Sequence, residues 1–260
     1  MAGKIIEVAE NFWNIRSSFR IGGVVDIGTQ ASLIRLGSGS FLLLDACALD
    51  DAIAQELDSI LGKAGEIEAI VNLHPFHTLH VPAVHERYPE ARLHGTQRHL
   101  DKFPELPWEE VRSEDSELHE WYADDLDFAI PQGVDFISAN ENVHFSSVLA
   151  YHRASATIHV DDTLMYISLP RPLRAFGLGD RVSFHPTLAM ALEKRQGAAG
   201  EFKDWARELT ENWAGARNLC AAHSAALQAG TNRGASIAER IGKALRRCEL
   251  VLRAHKSRYG

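Results

Sequence analysis

The order of the hydrophobic patterns constrains the fold of this chain most, because strand-length apolar segments precede amphipathic helices and this order occurs twice. In the first half the predicted strands lie at residues 4–8, 12–15, 24–27, 31–36 and 41–45. A period of 3.6 residues then predicts a helix over residues 50–61, capped by Asp50 or Asp51. Residues 67–73 are typical of a buried strand, and residues 81–88 of a second helix.

The second half of the chain repeats this order. Its predicted strands lie at residues 134–138, 143–151, 156–160, 164–167 and 218–222. Helices are predicted over residues 186–196 and 201–213, and a long final helix begins at Ser236-x-x-Glu239, which has the form of a capping box. The alternation indicates an α/β protein, and we expect one domain over residues 1–260, with halves of about 1–130 and about 131–260.

The composition is typical of a globular protein and argues against several classes of function. With 27 basic and 35 acidic residues and a formal net charge of −8, the chain lacks the positive charge that favours nucleic-acid binding. Its apolar stretches are too short to span a bilayer and residues 1–20 lack the pattern of a secretory signal, so we expect a cytoplasmic protein without a membrane partner. The three scattered cysteines, Cys47, Cys220 and Cys248, favour reduced thiols over disulfides.

Three histidines, His74, His77 and His80, fall within seven residues directly after the predicted strand of residues 67–73. Imidazole is the commonest side-chain metal ligand at neutral pH, and a dense cluster at a strand end is typical of a metal site. Pro75 disfavours the helical conformation for His74 and so keeps it extended at the end of the strand. The cluster therefore predicts a metal centre at one edge of the sheet.

Further candidate ligands also lie at the ends of predicted strands. His144 begins one strand, Asp162 ends another, and His223 follows a third. The two-residue period of a strand places Asp161 and Asp162 on opposite faces, and alternation alone does not decide which carboxylate points inward.

In order and spacing, these segments resemble the metallo-β-lactamase superfamily. That family has a strand ending in Asp, a helix, and a strand that runs into a His-x-His-x-Asp-His turn, followed by a His before a Ser/Gly pair, an Asp-Thr-Leu turn and a last His. The corresponding segments here are Leu42-Leu-Leu-Asp45, Asn72-Leu-His74-Pro-Phe76-His77, His144-Phe-Ser-Ser147, Asp161-Asp162-Thr-Leu164 and His223. The resemblance covers roughly residues 4–225 and implies a four-layer αββα sandwich of two mixed β-sheets with helices on the outer faces.

The chain departs from the family motif at two positions. When His74 and His77 are aligned with it, the first His of the motif is replaced by Asn72. In the same register, the metal-binding Asp of the motif is replaced by Phe76. A register shifted onto His77 and His80 loses the same two motif positions. Because family members with the full motif hold two metal ions, we expect one ion with a reduced ligand set here.

The resemblance implies one or two divalent metal ions, with one expected. The implied ligands are His74, His77, His144, Asp162 and His223. His80 is a candidate to replace a lost ligand or to take part in catalysis. Zinc and iron both accept imidazole and carboxylate ligands, so the sequence does not choose between them.

Other residues near the predicted ligands are assigned supporting roles. Candidates for hydrogen bonds that fix the tautomers of the ligands are His152, His159 and Asp161. Asp45, at the end of its strand, is expected to accept hydrogen bonds from turn amides. The remaining histidines are expected to be hydrogen-bonded or surface residues, namely His85, His94, His99, His119, His185 and His255.

A metal site of this kind favours hydrolysis. A divalent ion with an open position polarises a carbonyl or phosphoryl oxygen and supplies a metal-bound hydroxide near neutral pH. We therefore expect a hydrolase of a small ester, thioester, lactone or phosphodiester, with a small-molecule substrate as partner and a homo-oligomer left open. The alternative is a non-catalytic metal-binding relative that keeps the fold with an incomplete site, because Asn72 and Phe76 replace two motif residues.

The rest of the sequence adds few functional signals. No Gly-x-Ser-x-Gly segment is present, which argues against a serine hydrolase. The phosphate-binding Gly-x-x-x-x-Gly-Lys-Ser/Thr segment is also absent, and Gly37-Ser-Gly39 lacks the third glycine of a dinucleotide-binding fingerprint. The excess of acidic residues at 109–127 predicts a solvated connecting region.

Overall fold

The computed structural model describes residues 3–21, 25–26, 28–63, 65–167, 180–222 and 225–260. The chain divides into two compact units, the first made of Met1–Phe128 with His152–Thr157 and the second of Ala129–Tyr151 with Ile158–Gly260. Each unit has its own cluster of buried apolar side chains. The helices within the described residues are all too short or too polar for a membrane span.

Strands and helices follow one another in the order that the hydrophobic patterns predict, with additional short elements. The described strands are β1 (Lys4–Ala9), β2 (Phe12–Ser17), β3 (Arg20–Ile21), β4 (Val25–Asp26), β5 (Thr29–Arg35), β6 (Phe41–Leu44), β7 (Ile67–Val71), β8 (Arg92–His94), β9 (Leu126–Ala129), β10 (Leu149–His152), β11 (Thr157–Val160), β12 (Leu164–Ile167), β13 (Arg181–Phe184), β14 (Asn218–Ala221) and β15 (Ala226–Leu227). The described helices are α1 (Asp51–Leu61), α2 (Val81–Arg87), α3 (Gln97–Lys102), α4 (Ser116–Trp121), α5 (Leu188–Ala191), α6 (Ala198–Asn212), α7 (Ile237–Arg247) and α8 (Glu249–Tyr259).

The first unit is built on a six-stranded mixed sheet with the order β1-β2-β5-β6-β7-β8. Its first four strands are antiparallel, with Leu33 opposite Leu43, for example. From β6 to β8 the strands are parallel, and Val71 aligns with His94. Parallel neighbours require crossover connections, and α1 and α2 provide them.

The crossover helix α1 forms where the sequence predicts it. The Asp50 carboxylate accepts a hydrogen bond from the Ile53 amide at 2.9 Å and so caps the first turn. Ile53 and Leu57 are buried in the core of the first unit, and the helix ends at Gly62, whose φ is +66°. Because α1 and α2 return the chain to the same edge, β6, β7 and β8 all end at one edge of the sheet.

A five-stranded sheet has the order β15-β14-β11-β10-β9, and β12 and β13 form a separate antiparallel pair. The core of the second unit centres on one face of α6, where Phe202, Trp205 and Leu209 are buried as the helical spacing predicts. The Phe202 ring lies 5.1 Å from that of Phe184 and 5.8 Å from that of Phe145, both in edge-on contact.

Two predicted strands of the second half are shorter than expected. Residues 134–138 form only an isolated bridge between Val134 and Leu192, and residues 143–151 form a strand only at Leu149–His152. The Ser147 amide donates to Thr163 Oγ1 at 3.1 Å, so a side chain replaces a strand partner there.

The predicted helix over residues 186–196 is reduced to α5, because Leu192 turns extended with ψ of 126°. The long final helix divides at Cys248, whose amide is shared between the carbonyls of Ala244 and Leu245 at 3.3 and 3.0 Å. Part of the predicted strand at residues 24–27 lies outside the described residues.

Candidate metal centre

The three clustered histidines lie in a turn between β7 and α2, termed here the histidine turn (residues 74–80). The His77 amide donates to the His74 carbonyl at 3.0 Å, which closes the turn after Pro75. His80 is the residue before the first turn of α2, and Pro82 follows within that first turn, where its missing amide hydrogen costs nothing. The local sequence therefore fixes the conformation of the turn at both of its ends.

Asp45 anchors the start of the histidine turn from the neighbouring strand. Its Oδ1 accepts hydrogen bonds from the amides of Leu73 at 2.7 Å and His74 at 3.4 Å. Asp45 is buried and has a φ of +59°, a conformation that Asp tolerates better than most residues. The hydrogen bonds to turn amides that the sequence predicts for Asp45 are present.

His74 and His77 bring two imidazoles together. Their rings are stacked, with centroids 4.0 Å apart and an interplanar angle of 20°. Each ring offers a nitrogen within 4.8 Å of a nitrogen of the other. His74 is fully buried and His77 half-buried, so water has limited access to the pair.

A backbone contact sets the tautomer of His74. The Phe76 amide donates to His74 Nδ1 at 3.1 Å, which assigns the lone pair of the neutral ring to Nδ1 and its hydrogen to Nε2. A cation bound at Nδ1 would replace this amide.

His80 and Asn72 test whether the residues present fit a metal ion. His80 Nε2 is buried and has no hydrogen-bond partner among the described residues, and burial lowers the pKa of His80. Asn72 Oδ1 is likewise buried and without a partner in the described part of the chain. Buried polar atoms without partners are rare in proteins and point to a missing water or ion. The neutral imidazoles and buried oxygen at this strand edge therefore fit a bound cation.

The two motif positions lost from the sequence have structural roles instead. Both the amide and the side-chain Nδ2 of Asn72 donate to the His94 carbonyl, each at 3.0 Å, so this side chain ties β7 to β8. The Phe76 ring carries the Arg98 guanidinium on its face, with Cζ 4.4 Å from the ring centroid. Neither position presents an imidazole or a carboxylate.

Two buried histidines next to the turn were assigned no site role by the sequence. His94 is fully buried, and its Nδ1 donates to the Val111 carbonyl at 2.8 Å. His99 is also fully buried; its Nδ1 accepts the Thr96 amide at 3.2 Å. Desolvation lowers the pKa of His99 to about 3. A hydrogen bond with the His77 backbone raises this pKa, whereas the charges of His74, His77 and Lys102 lower it further. The spacing Thr96-x-x-His99, a capping box with His in place of Glu or Gln, was the available signal for His99.

The predicted ligands His144 and Asp162 belong to the second unit. His144 is half-buried, and its Nε2 donates to the Glu141 carbonyl at 2.6 Å. Asp161 and Asp162 are both buried, and Asp161 offers an oxygen within 4.8 Å of a ring nitrogen of His159. His223 lies outside the described residues. The assignments of His144, Asp162 and His223 as ligands stay predictions.

Comparisons with known proteins give matches among solved structures alone. No protein-family model matches the chain, and no curated protein matches it. A structure of VMB-1 at pH 5.5 is 12% identical, with 97% of each chain covered and a TM-score of 0.60. The metallo-β-lactamase FIM-1 from Pseudomonas aeruginosa, in its mono-zinc form, is 11% identical over 96% of this chain and 97% of its own, with a TM-score of 0.58.

A metallo-β-lactamase from Erythrobacter litoralis is 13% identical over 94% of this chain and 96% of its own, with a TM-score of 0.60. Likeness at such low identity concerns the fold and leaves the activity open. The mixed α/β class with two large sheets, predicted from the sequence, is confirmed. This chain has the metallo-β-lactamase fold.

Proposed function

We propose that this protein is a metal-dependent hydrolase of a small ester, thioester, lactone or phosphodiester, with one divalent ion bound at the histidine turn. The observation that carries the proposal is the His74 and His77 pair, whose ring nitrogens lie within 4.8 Å at the end of a parallel strand. The metallo-β-lactamase fold supports it, since FIM-1, a zinc-containing protein, has the same fold.

His74 and His77 would hold the ion, and His80 is the third candidate in the turn. Zinc and iron both suit imidazole ligands, and His144, Asp162 and His223 remain the ligands that the sequence proposes from the second half. When bound, a divalent ion with an open position polarises a carbonyl or phosphoryl oxygen and lowers the pKa of water from about 15.7 toward 7.

The residues of the first unit prepare the turn for this role. Asp45 fixes the backbone at Leu73 and His74 through two amide hydrogen bonds. Burial keeps His80 neutral by lowering its pKa, so its lone pair is available at physiological pH. These contacts reduce the reorganisation that binding a substrate or an ion requires.

One ion is proposed rather than two because of Asn72 and Phe76. The Asn72 amide nitrogen is used by the His94 carbonyl, and Phe76 has no atom that binds a metal. The same contacts support a second candidate function, a non-catalytic metal-binding relative. In that case the hydrogen bond from Asn72 to the His94 carbonyl and the stacking of Arg98 on Phe76 stabilise the turn of a protein that catalyses no reaction.

Metal content and turnover, measured on the same preparations, test both candidates. The purified protein is stripped with a chelator, reloaded with Zn²⁺ or Fe²⁺, analysed by mass spectrometry and assayed against 4-nitrophenyl acetate, a thioester, a lactone and bis(4-nitrophenyl) phosphate. We expect about one ion per chain and metal-dependent turnover, both lost in His74→Ala and His77→Ala. Affinity should fall by more than about 100-fold, since losing an outer hydrogen-bond partner already costs about 10–100-fold.

His185→Ala is the matched control. His185 is a half-buried histidine of the second unit whose Nδ1 lies 2.7 Å from Thr187 Oγ1. Its removal should leave metal content and turnover unchanged. Bound metal without turnover would favour the non-catalytic relative, and an absence of metal from the wild-type protein would contradict both candidates.

The sequence-based expectations of a small-molecule substrate, a cytoplasmic location and an open oligomeric state carry over into this proposal. Cys47 and Cys220 are buried and are not joined in a disulfide, which suits a reducing compartment.

A further inference from the structure

Helix α3 contacts three consecutive residues of the histidine turn. The Arg98 guanidinium lies over the Phe76 ring, His99 contacts the backbone of His77, and Lys102 Nζ donates to Thr78 Oγ1 at 2.5 Å. Arg98 and Lys102 are four residues apart, a spacing that places them on the same face of the helix. Arg98 and Lys102, the two basic residues at this spacing in α3, therefore both lie on the face that contacts the histidine turn.

Lys102 is held beside the turn without a counter-charge. Thr78 is buried, and its hydroxyl takes one of the three hydrogens of the ammonium group. Among the described residues, no carboxylate lies within ion-pair distance of Lys102.

The histidine turn itself brings no negative charge to Lys102. Residues 74–80 contain no acidic side chain, and the acid of α3, Asp101, accepts the side-chain amide of Gln97 at 2.8 Å. Asp45 is buried and directs Oδ1 to turn amides. Lys102 is exposed, so its ammonium group attracts anions with an energy that solvent partly screens.

We propose, building on the hydrolase proposed above, that the substrate carries an anionic oxygen group and that Lys102 pairs with it as a specificity-determining residue. The anion is a carboxylate remote from the bond that is cleaved or the phosphate of a phosphodiester. Either presents oxygens that accept the two ammonium hydrogens left free by Thr78.

Substrates matched in size and differing in charge test this proposal. The probes are 4-nitrophenyl butyrate, mono(4-nitrophenyl) glutarate and bis(4-nitrophenyl) phosphate, assayed with the metal-loaded wild type and Lys102→Met. Loss of one partly exposed charge pair, about 1 kcal/mol, should raise KM for an anionic probe about fivefold with kcat little changed. KM for the neutral ester should change much less than KM for the anionic probes, and Lys102→Arg should restore the anionic preference.

The glutarate and phosphate arms identify the anion. A Lys102-dependent KM for the glutarate ester alone assigns a remote carboxylate, and one for the phosphodiester alone assigns a phosphate. Lys63→Met, which removes the same charge from an exposed position after α1, controls for net charge. Equal effects of Lys63→Met and Lys102→Met would overturn the proposal, as would equal effects of Lys102→Met on neutral and anionic probes.

Calorimetric titration with glutarate and with inorganic phosphate separates this proposal from the hydrolase itself. Binding that weakens about fivefold in Lys102→Met supports the anion site even if the wild type hydrolyses no probe. Turnover of the neutral ester together with anion binding that is unaffected by Lys102→Met supports the hydrolase and overturns the anion site. Lack of binding of both anions to the wild type also overturns it.

Discussion

At the scale of single residues, His99 shows how burial changes the chemistry of a histidine. His99 belongs to α3, and its fully buried side chain contacts the backbone of the histidine turn at His77. Desolvation is the largest cause that lowers its pKa to about 3. His99 is therefore neutral in the folded protein at every physiological pH. In the unfolded chain the same imidazole titrates near its usual value of about 6.5.

This difference in pKa makes folding dependent on pH. Between pH 6.5 and about 3 the unfolded chain binds a proton at His99 that the folded chain does not, so stability falls as the pH falls through that window. The contribution reaches about 1.4 kcal/mol per pH unit and is absent above pH 6.5. Replacing His99 by Gln, whose carbonyl can accept the Thr96 amide without titrating, should flatten the dependence.

Urea unfolding at pH 7, 6 and 5 measures this effect. The difference in free energy of unfolding between wild type and His99→Gln should shift in favour of the variant as the pH falls. Other histidines titrate in both proteins and cancel in the difference. Parallel pH profiles of the two proteins would show that His99 is not the group responsible.

The residues of the site differ in whether their positions can be predicted from nearby sequence or depend on contacts with distant segments of the chain. Asp45 was assigned from the strand end that it occupies, and its hydrogen bonds to turn amides agree with that assignment. His74 was assigned as a ligand from the strand that precedes it, and that role stays a prediction. Lys102 and Arg98 gave no comparable signal, because their contacts with Thr78 and Phe76 span more than twenty residues of chain.

At the scale of elements, caps were read more reliably from the sequence than lengths. The capping box of α7 is present, with the Glu239 amide donating to Ser236 Oγ at 3.1 Å and the Ser236 amide to Glu239 Oε2 at 2.7 Å. Both bonds lie within four residues and depend on local geometry alone. The division of the helix at Cys248 depends on packing and was not predicted.

Substitution of Ser236 by Ala tests the contribution of this cap. The Glu239 amide loses its side-chain acceptor, and the protein should lose about 1 kcal/mol of unfolding free energy. Ser257→Ala, at an exposed position within α8, is the control and should change stability by less than about 0.5 kcal/mol. Chemical denaturation of both variants gives the comparison; equal stability of the two would mean that the cap contributes nothing.

The acidic stretch of residues 109–127 is more ordered than its composition suggests. It contains α4, whose Leu118 is fully buried, and Tyr122 and Leu126 are buried as well. Arg112 donates to Asp115 at 3.0 Å and so offsets part of the acidic charge. Charge counts miss such a segment because a few apolar side chains at helical spacing decide its burial.

At the scale of the whole molecule, metal binding should couple to stability. An ion that binds only the folded protein raises its free energy of unfolding by about 2.7 kcal/mol at a concentration 100 times its Kd. Thermal unfolding of the chelator-treated protein should therefore shift upward on addition of Zn²⁺, by roughly 2–4 °C for each kcal/mol.

The shift should disappear in His77→Ala and persist in His185→Ala, since His77 alone of the two belongs to the candidate centre. Scanning calorimetry with and without Zn²⁺ gives the measurement. Identical shifts in the two variants would place the stabilising ion elsewhere in the chain.

The sequence by itself determined the strand and helix order, the helix caps, the Asp45 anchor and the clustering of His74 with His77, because each depends on neighbours within a few residues or on a repeated period. Tertiary structure alone decided that Asn72 would bind the neighbouring strand, that Phe76 would lie under Arg98 and that Lys102 would reach Thr78. Those contacts join segments brought together by the parallel pairing of β7 with β8, and packing between distant segments leaves no periodic pattern in the chain.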